Sequence, residues 1–310
     1  MSGGLTRVDG RLATVFRGIS LVASLVALVY VARVLAMNWN SAQASWSRFF
    51  TLGLAIAFPA ATSALLLLAG TWHWLLRQLG IEVSRLDAMH AWFTGNLHKY
   101  IPGQVWMAVG RTARGAQVGV PARATLGTTA IEQGLSVLAA ALVLGVARGW
   151  PALAVPSALA TAGLLHPRVA NAALALVGRI GRRPLPLVSL RGSQLAFLYL
   201  VSLAAIALGV LAMAGIMLGL GIFRLPDLRA YVVAFTGSFL SGYLFFGAPA
   251  GLGVREGALL VLLGRAGVSA GDASLVAVAT RVVTVVAELA CFFAVSALAR
   301  ARARRRATEP

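Results

Sequence analysis

The sequence predicts an all-α polytopic membrane protein, and three observations carry that prediction. Apolar residues occupy 59% of the 310 positions and charged residues only 12%. Mean hydropathy is +0.84. Apolar runs long enough for a helix to cross a bilayer recur along the chain, with no polar stretch between them large enough for a separate soluble domain.

In chain order, six full spans are predicted over 18–37, 49–72, 122–147, 150–165, 193–221 and 272–298. Residues 1–17 carry Arg7, Arg11 and Arg17 ahead of the first apolar run, as a signal peptide would. That run is long and more spans follow, which favours an uncleaved first span. Segments 86–116 and 229–265 read differently, because each is apolar yet broken midway, at Ile101-Pro102-Gly103 and at Ala248-Pro249-Ala250-Gly251. Proline removes a backbone donor and glycine weakens a helix, so both helices should break there. In lipid, a broken helix persists only where protein or trapped water satisfies the freed backbone groups. Both segments are therefore expected to be helical hairpins packed in the interior, re-entrant or barely spanning, giving eight spans if they cross fully. The predicted breaks are Pro102 and Gly103 in the first hairpin and Pro249, Gly251 and Gly253 in the second.

A net charge of +18 would suggest nucleic acid in a soluble protein. Here the arginines cluster in short segments between apolar runs, so topology and lipid-surface charge explain them and no nucleic-acid partner is expected. Each hairpin returns to the side it left and leaves the alternation of the six spans unchanged. Segments 1–17, 77–123, 166–192 and 300–306 then share one face and hold 3, 6, 5 and 5 basic residues, 19 of the 27. The positive-inside rule places that face and both termini in the cytoplasm, anchored by Arg182-Arg183 and by Arg300, Arg302, Arg304, Arg305 and Arg306. Residues 18–299 form one membrane domain, between a basic N-terminal segment (1–17) and a basic tail (300–310).

Span, hairpin and span occur twice, over about 49–147 and about 193–298, and the two copies enter the membrane from opposite sides. From the start of the leading span to the hairpin proline is 53 residues in the first copy and 56 in the second. Gly119-Val120 follows Pro102 by 17 residues, and Gly267-Val268 follows Pro249 by 18. Inverted repeats with interrupted helices are a recurrent plan of secondary transporters.

Lys99, Arg111, Glu132, Arg255, Glu256, Arg281 and Glu288 all fall in the predicted interior. A charge at bilayer depth costs roughly 2.5–3.5 kcal/mol, so such residues usually line a protein-enclosed cavity. Glu132 and Arg281 occupy nearly equivalent places in their spans. They either compensate one another across the repeat axis, or the arginine takes a lipid phosphate and the glutamate a headgroup cation or coupling proton. Lys99 and Arg111 flank the first break and would set two cations at the hairpin mouth, whereas Arg114 and Arg123 read as cytoplasmic anchors. Arg255 lies in a segment predicted to face the other side, where positive-inside logic gives no reason for it.

Other chemistries find little support. His73, His90, His98 and His166 form no metal-ligand set, and no metal or cofactor is expected. No nucleophile elbow, phosphate loop or paired-aspartate motif occurs, so no enzymatic activity is expected. Cys291 stands alone in an apolar helix and reads as a small core hydrophobe. Trp39, Trp46, Trp72, Trp74 and Trp150 lie near predicted span ends, where aromatic belts form.

Two motifs then identify a resemblance: HKYIPGQVW (98–106), with the later Arg111 and Glu132, and GAPAGLGVREGALLVLLGRAGV (247–268), with the later Arg281. Together they resemble the transmembrane, flippase-like domain of lysylphosphatidylglycerol synthases and its stand-alone relatives, including hopanoid-associated proteins. The resemblance covers roughly residues 10–300. It implies a role in moving or presenting lipids in the bacterial cytoplasmic (inner) membrane. Lys99, Pro102, Gly103, Arg111 and Glu132 match the first motif, and Pro249, Gly251, Gly253, Arg255, Glu256 and Arg281 the second. Ala250 and Gln104 stand where relatives often carry a second glycine. The sequence holds no soluble aminoacyl-transfer domain, so synthase activity is not expected. The expectation is a translocator of an anionic or phosphate-bearing lipid. The alternative is a non-transporting membrane partner of a lipid-modifying enzyme or glycosyltransferase, docked through small-residue faces such as Gly253-x-x-x-Gly257. An intramembrane enzyme using Glu256 or Glu132 as acid or base is the third reading.

Overall fold

A computed structural model of the chain describes residues 52–101, 106–180, 190–245 and 248–308, together with residues 29, 33 and 36. Among the described residues there are ten α-helices and no strand. They are α1 (Leu54–Gln78), α2 (Arg85–His98), α3 (Trp106–Ala116), α4 (Ala122–Arg148), α5 (Pro151–Leu164), α6 (Pro167–Ile180), α7 (Gly192–Gly219), α8 (Leu228–Leu244), α9 (Val254–Arg265) and α10 (Ala270–Thr308). The segment 1–17, most of the predicted span 18–37, the break residues Pro102 and Gly103, and Arg182-Arg183 lie outside the described residues.

Four helices, α1, α4, α7 and α10, are long and apolar enough to cross a membrane. With 25, 27 and 28 residues, the first three rise about 37–42 Å, more than the roughly 30 Å of a hydrocarbon core. The expected span 150–165 is a 14-residue helix, which rises only about 21 Å and does not cross by itself. Its ends fall within one residue of the expected ones: Gly149 is left-handed at φ 72° and Pro151 starts the helix, while His166-Pro167 stops it. At the C-terminus, α10 continues through Thr308, so the basic tail extends the last span as helix.

Both hairpins form as pairs of short helices, α2 with α3 and α8 with α9. In the second, Pro249–Gly251 make a single 3-10 turn, and Gly251 and Gly253 adopt φ 69° and 80°. Ala250 is left-handed too, at φ 50°, a conformation that costs a residue with a Cβ about 1–2 kcal/mol.

The packing divides the chain into two halves, α1–α4 and α7–α10, joined by α5 and α6. α1 crosses α7; α4 packs on α8 as α10 packs on α2; α10 packs on α1 as α7 packs on α4; α3 meets α4 as α9 meets α10. Exchanging the halves maps each contact onto another. The matched caps agree: Gly119 and Gly267 end α3 and α9 at φ 83° and 82°, and the Val120 and Val268 amides that follow donate back to the Gly115 and Leu263 carbonyls at 2.9 and 3.1 Å.

Candidate functional site

Between the halves lies a cavity of about 250 Å³, with Trp92, Asn96 and Lys99 of the first hairpin arm and Glu132, Gln133 and Ser136 of α4 on one side. The second half contributes Phe239, Gly242 and Tyr243 of α8, Ala250, Gly251, Arg255, Arg281 and Thr284. Four of the six residues predicted to meet a ligand, Lys99, Glu132, Arg255 and Arg281, line it. The other two, Arg111 and Glu256, stand behind the wall.

Arg111 is fully buried. Its Nη1 donates to Glu132 Oε2 at 2.9 Å and to Thr129 Oγ1 at 3.2 Å. The Trp72 and Trp92 rings flank its guanidinium at 5.4 and 5.2 Å, and among the described residues its Nε and Nη2 have no hydrogen-bond acceptor. Cation–π attraction and one ion pair therefore hold this charge out of water. Trp92 Nε1 also donates to both Glu132 oxygens, at 3.2 and 3.3 Å. Arg111 is thus not a free cation at the hairpin mouth, and Trp72, 1% exposed, is a core residue rather than an interface anchor.

In the second half the polarity of the pair is reversed. Glu256, in the first turn of α9, pairs with Arg281 of α10 at 3.6 Å. Glu256 Oε2 also accepts from the Gly253 amide at 2.7 Å and so caps the helix, where the dipole favours an anion. Arg281 Nη1 donates to the Ala250 carbonyl at 3.3 Å, which ties the strained turn to the last span. Of the two alternatives for Glu132 and Arg281, the compensating pair across the axis does not form. Each hairpin's second arm packs on the span that follows it, α3 on α4 and α9 on α10, so each charge finds its partner within its own half.

One ion pair among the described residues joins the halves, Lys99 of the first hairpin with Glu288 of α10. Glu288, 1% exposed, also accepts from Asn96 Nδ2 at 3.0 Å and from the Tyr100 hydroxyl at 2.7 Å. Glu288 is one of the interior charges evident in the sequence, but its role is not legible there. Its signal was the seven-residue step from Arg281, two helical turns along one face.

Arg255 is the exception. Among the described residues it has no ion pair; its guanidinium lies 5.5 and 5.7 Å from the Phe235 and Phe239 rings and faces the cavity. Four cations and three carboxylates thus gather here, and three pairs leave one positive charge over. Among the described residues no group of three His, Cys, Asp or Glu side chains could hold a metal ion. The Gly253-x-x-x-Gly257 pattern is no helix-packing face, because Gly253 precedes α9 with φ 80°.

No curated protein matches the chain. A family model described as the lysylphosphatidylglycerol synthase TM region matches residues 16–291, which include the whole cavity wall and both halves up to the middle of α10. The chain, a multi-pass membrane protein with four helices long enough to cross, belongs to the lysylphosphatidylglycerol synthase TM region family.

Proposed function

We propose that the protein translocates an anionic, phosphate-bearing lipid between the leaflets of the bacterial cytoplasmic membrane, without altering it chemically. The head enters the cavity between the halves while the acyl or prenyl chains stay in the bilayer. The observation that carries this reading is Arg255, a guanidinium with no ion pair among the described residues that faces a hollow in the interior of a membrane protein. A charge so placed is expensive, and an oxyanion is the partner that its N–H donors fit.

The matched packing of the halves supports an inverted repeat in which α5 and α6 together make one crossing between the halves, which leaves both termini in the cytoplasm and the hairpins meeting from opposite sides. Under this arrangement the halves move as units, each braced internally by its own ion pair. The cavity opens toward one leaflet or the other as the Lys99–Glu288 tie breaks and forms again. Membership of a lipid-synthase TM family supports a lipid as the cargo.

The test is reconstitution of the purified protein into vesicles, with translocation of a fluorescent anionic phospholipid followed by quenching at the outer leaflet. Arg255→Ala and Arg281→Ala are expected to abolish translocation while the thermal midpoint in detergent shows a folded protein. Translocation at the wild-type rate in either variant removes that arginine from the mechanism.

A further inference from the structure

The charge balance of the cavity carries the proposed function one step further, to the kind of head it takes. We infer that the cavity selects a phosphodiester headgroup of net charge −1 and rejects one that carries an ammonium, with Arg255 as the specificity-determining residue. The inference rests on the proposed placement of a lipid head between the halves.

Every carboxylate at the site is already occupied. Glu256 and Glu288, 4% and 1% exposed, lie behind the wall, held by Arg281 and the Gly253 amide and by Lys99, Asn96 and Tyr100 respectively. Only Glu132 reaches the cavity, and it is engaged by Arg111, by Trp92 and, at 3.3 Å, by Gln133 Nε2. An ammonium entering the cavity would meet Lys99, Arg255 and Arg281 with no carboxylate free to receive it. Like charges in a poorly solvated site repel strongly, and an unpaired ion there is costly. A phosphodiester monoanion instead meets Arg255, the one cavity cation without an ion pair among the described residues, and brings the local charge to zero. Gln133, Ser136 and Thr284 in the same wall suit hydroxyls on such a head. The lysyl group in the family's name carries ammonium, so this cavity favours the unmodified, glycerol-type head over the aminoacylated one.

Competition measured by native mass spectrometry tests this, with the detergent-purified chain offered equimolar phosphatidylglycerol, phosphatidylethanolamine and lysylphosphatidylglycerol of identical acyl chains. The wild type is expected to retain phosphatidylglycerol at least about tenfold over either of the others. Arg255→Gln should bring the three within about twofold, Arg255→Lys should keep the preference, and Glu288→Gln, which adds one positive charge to the balance, should increase it. Equal or better retention of either ammonium-bearing lipid by the wild type overturns the inference, as does an unchanged preference in a folded Arg255→Gln. Displacement of phosphatidylglycerol by a few millimolar inorganic phosphate, at roughly the lipid's own affinity, would assign the site to a soluble anion and overturn it for lipids. Failure here is separable from failure of the translocation reading. Selective binding without translocation sinks only the latter, and translocation with unselective binding sinks only the former.

Discussion

Arg111 and Arg255 sit in comparable places, each on the second arm of its hairpin with its Cβ pressed against a glycine of the first arm, Gly95 and Gly242. Their fates differ completely. Arg111 is walled in by two tryptophans and bonded to Glu132, so its charge holds the fold together. Arg255 has two phenylalanine rings, no acid and an open cavity. A buried arginine is read by its partners: the first is a strut, and the second, with no acid paired to it among the described residues, is the group proposed to meet an anion.

The strongest way to break this comparison is to truncate both side chains. Arg111→Ala leaves the part-buried Glu132 without its ion pair and empties the slot between Trp72 and Trp92, so it should cost about 3–5 kcal/mol, measured as unfolding in mixed detergent and denaturant. Arg255→Ala removes an uncompensated charge and should leave stability unchanged or slightly higher in the same assay. Equal losses would show that Arg255 is also structural.

The glycines sharpen the contrast with a smaller effect. A Cβ on Gly95 would lie 2.5 Å from Arg111 Cβ and 2.9 Å from the Met107 carbonyl oxygen, so Gly95→Ala must push the first hairpin apart, at about 1–3 kcal/mol. At Gly242 the closest atom is Arg255 Cβ at 3.0 Å and the next lies at 3.5 Å. Gly242→Ala should therefore destabilise less while weakening anion binding by shifting Arg255. A larger loss of stability at Gly242 than at Gly95 in the same unfolding assay would reverse the ranking of the two hairpins.

What the sequence could and could not say follows from the range of each interaction. The second break was legible because Pro249, Gly251 and Gly253 act on their own backbone, with no distant partner needed. The cavity's charged residues were legible as a set, since charge in an apolar run is conspicuous, and four of the six named ligand residues line one hollow. Their pairing was not. Whether Glu132 meets Arg111 or Arg281 depends on how the hairpin folds onto its neighbouring span, which no local pattern encodes. Trp72 looked like an interface residue from its place near a span end, whereas its surroundings come from α3 and α4, where Arg111 and the Thr128 hydroxyl that accepts from its Nε1 at 3.0 Å reside. The bounds of α5 were legible as well, to within one residue at each end, because Pro151 and His166-Pro167 act on their own backbone.

Arg255 is proposed to hold its place for a lipid phosphate, and the decisive test is an experimental structure in a phosphatidylglycerol nanodisc. It should show a phosphate oxygen within hydrogen-bonding distance of the Arg255 guanidinium, inside the cavity between the two halves. A filled interior in which protein acceptors alone satisfy Arg255, with no lipid head beside it, would contradict the claim.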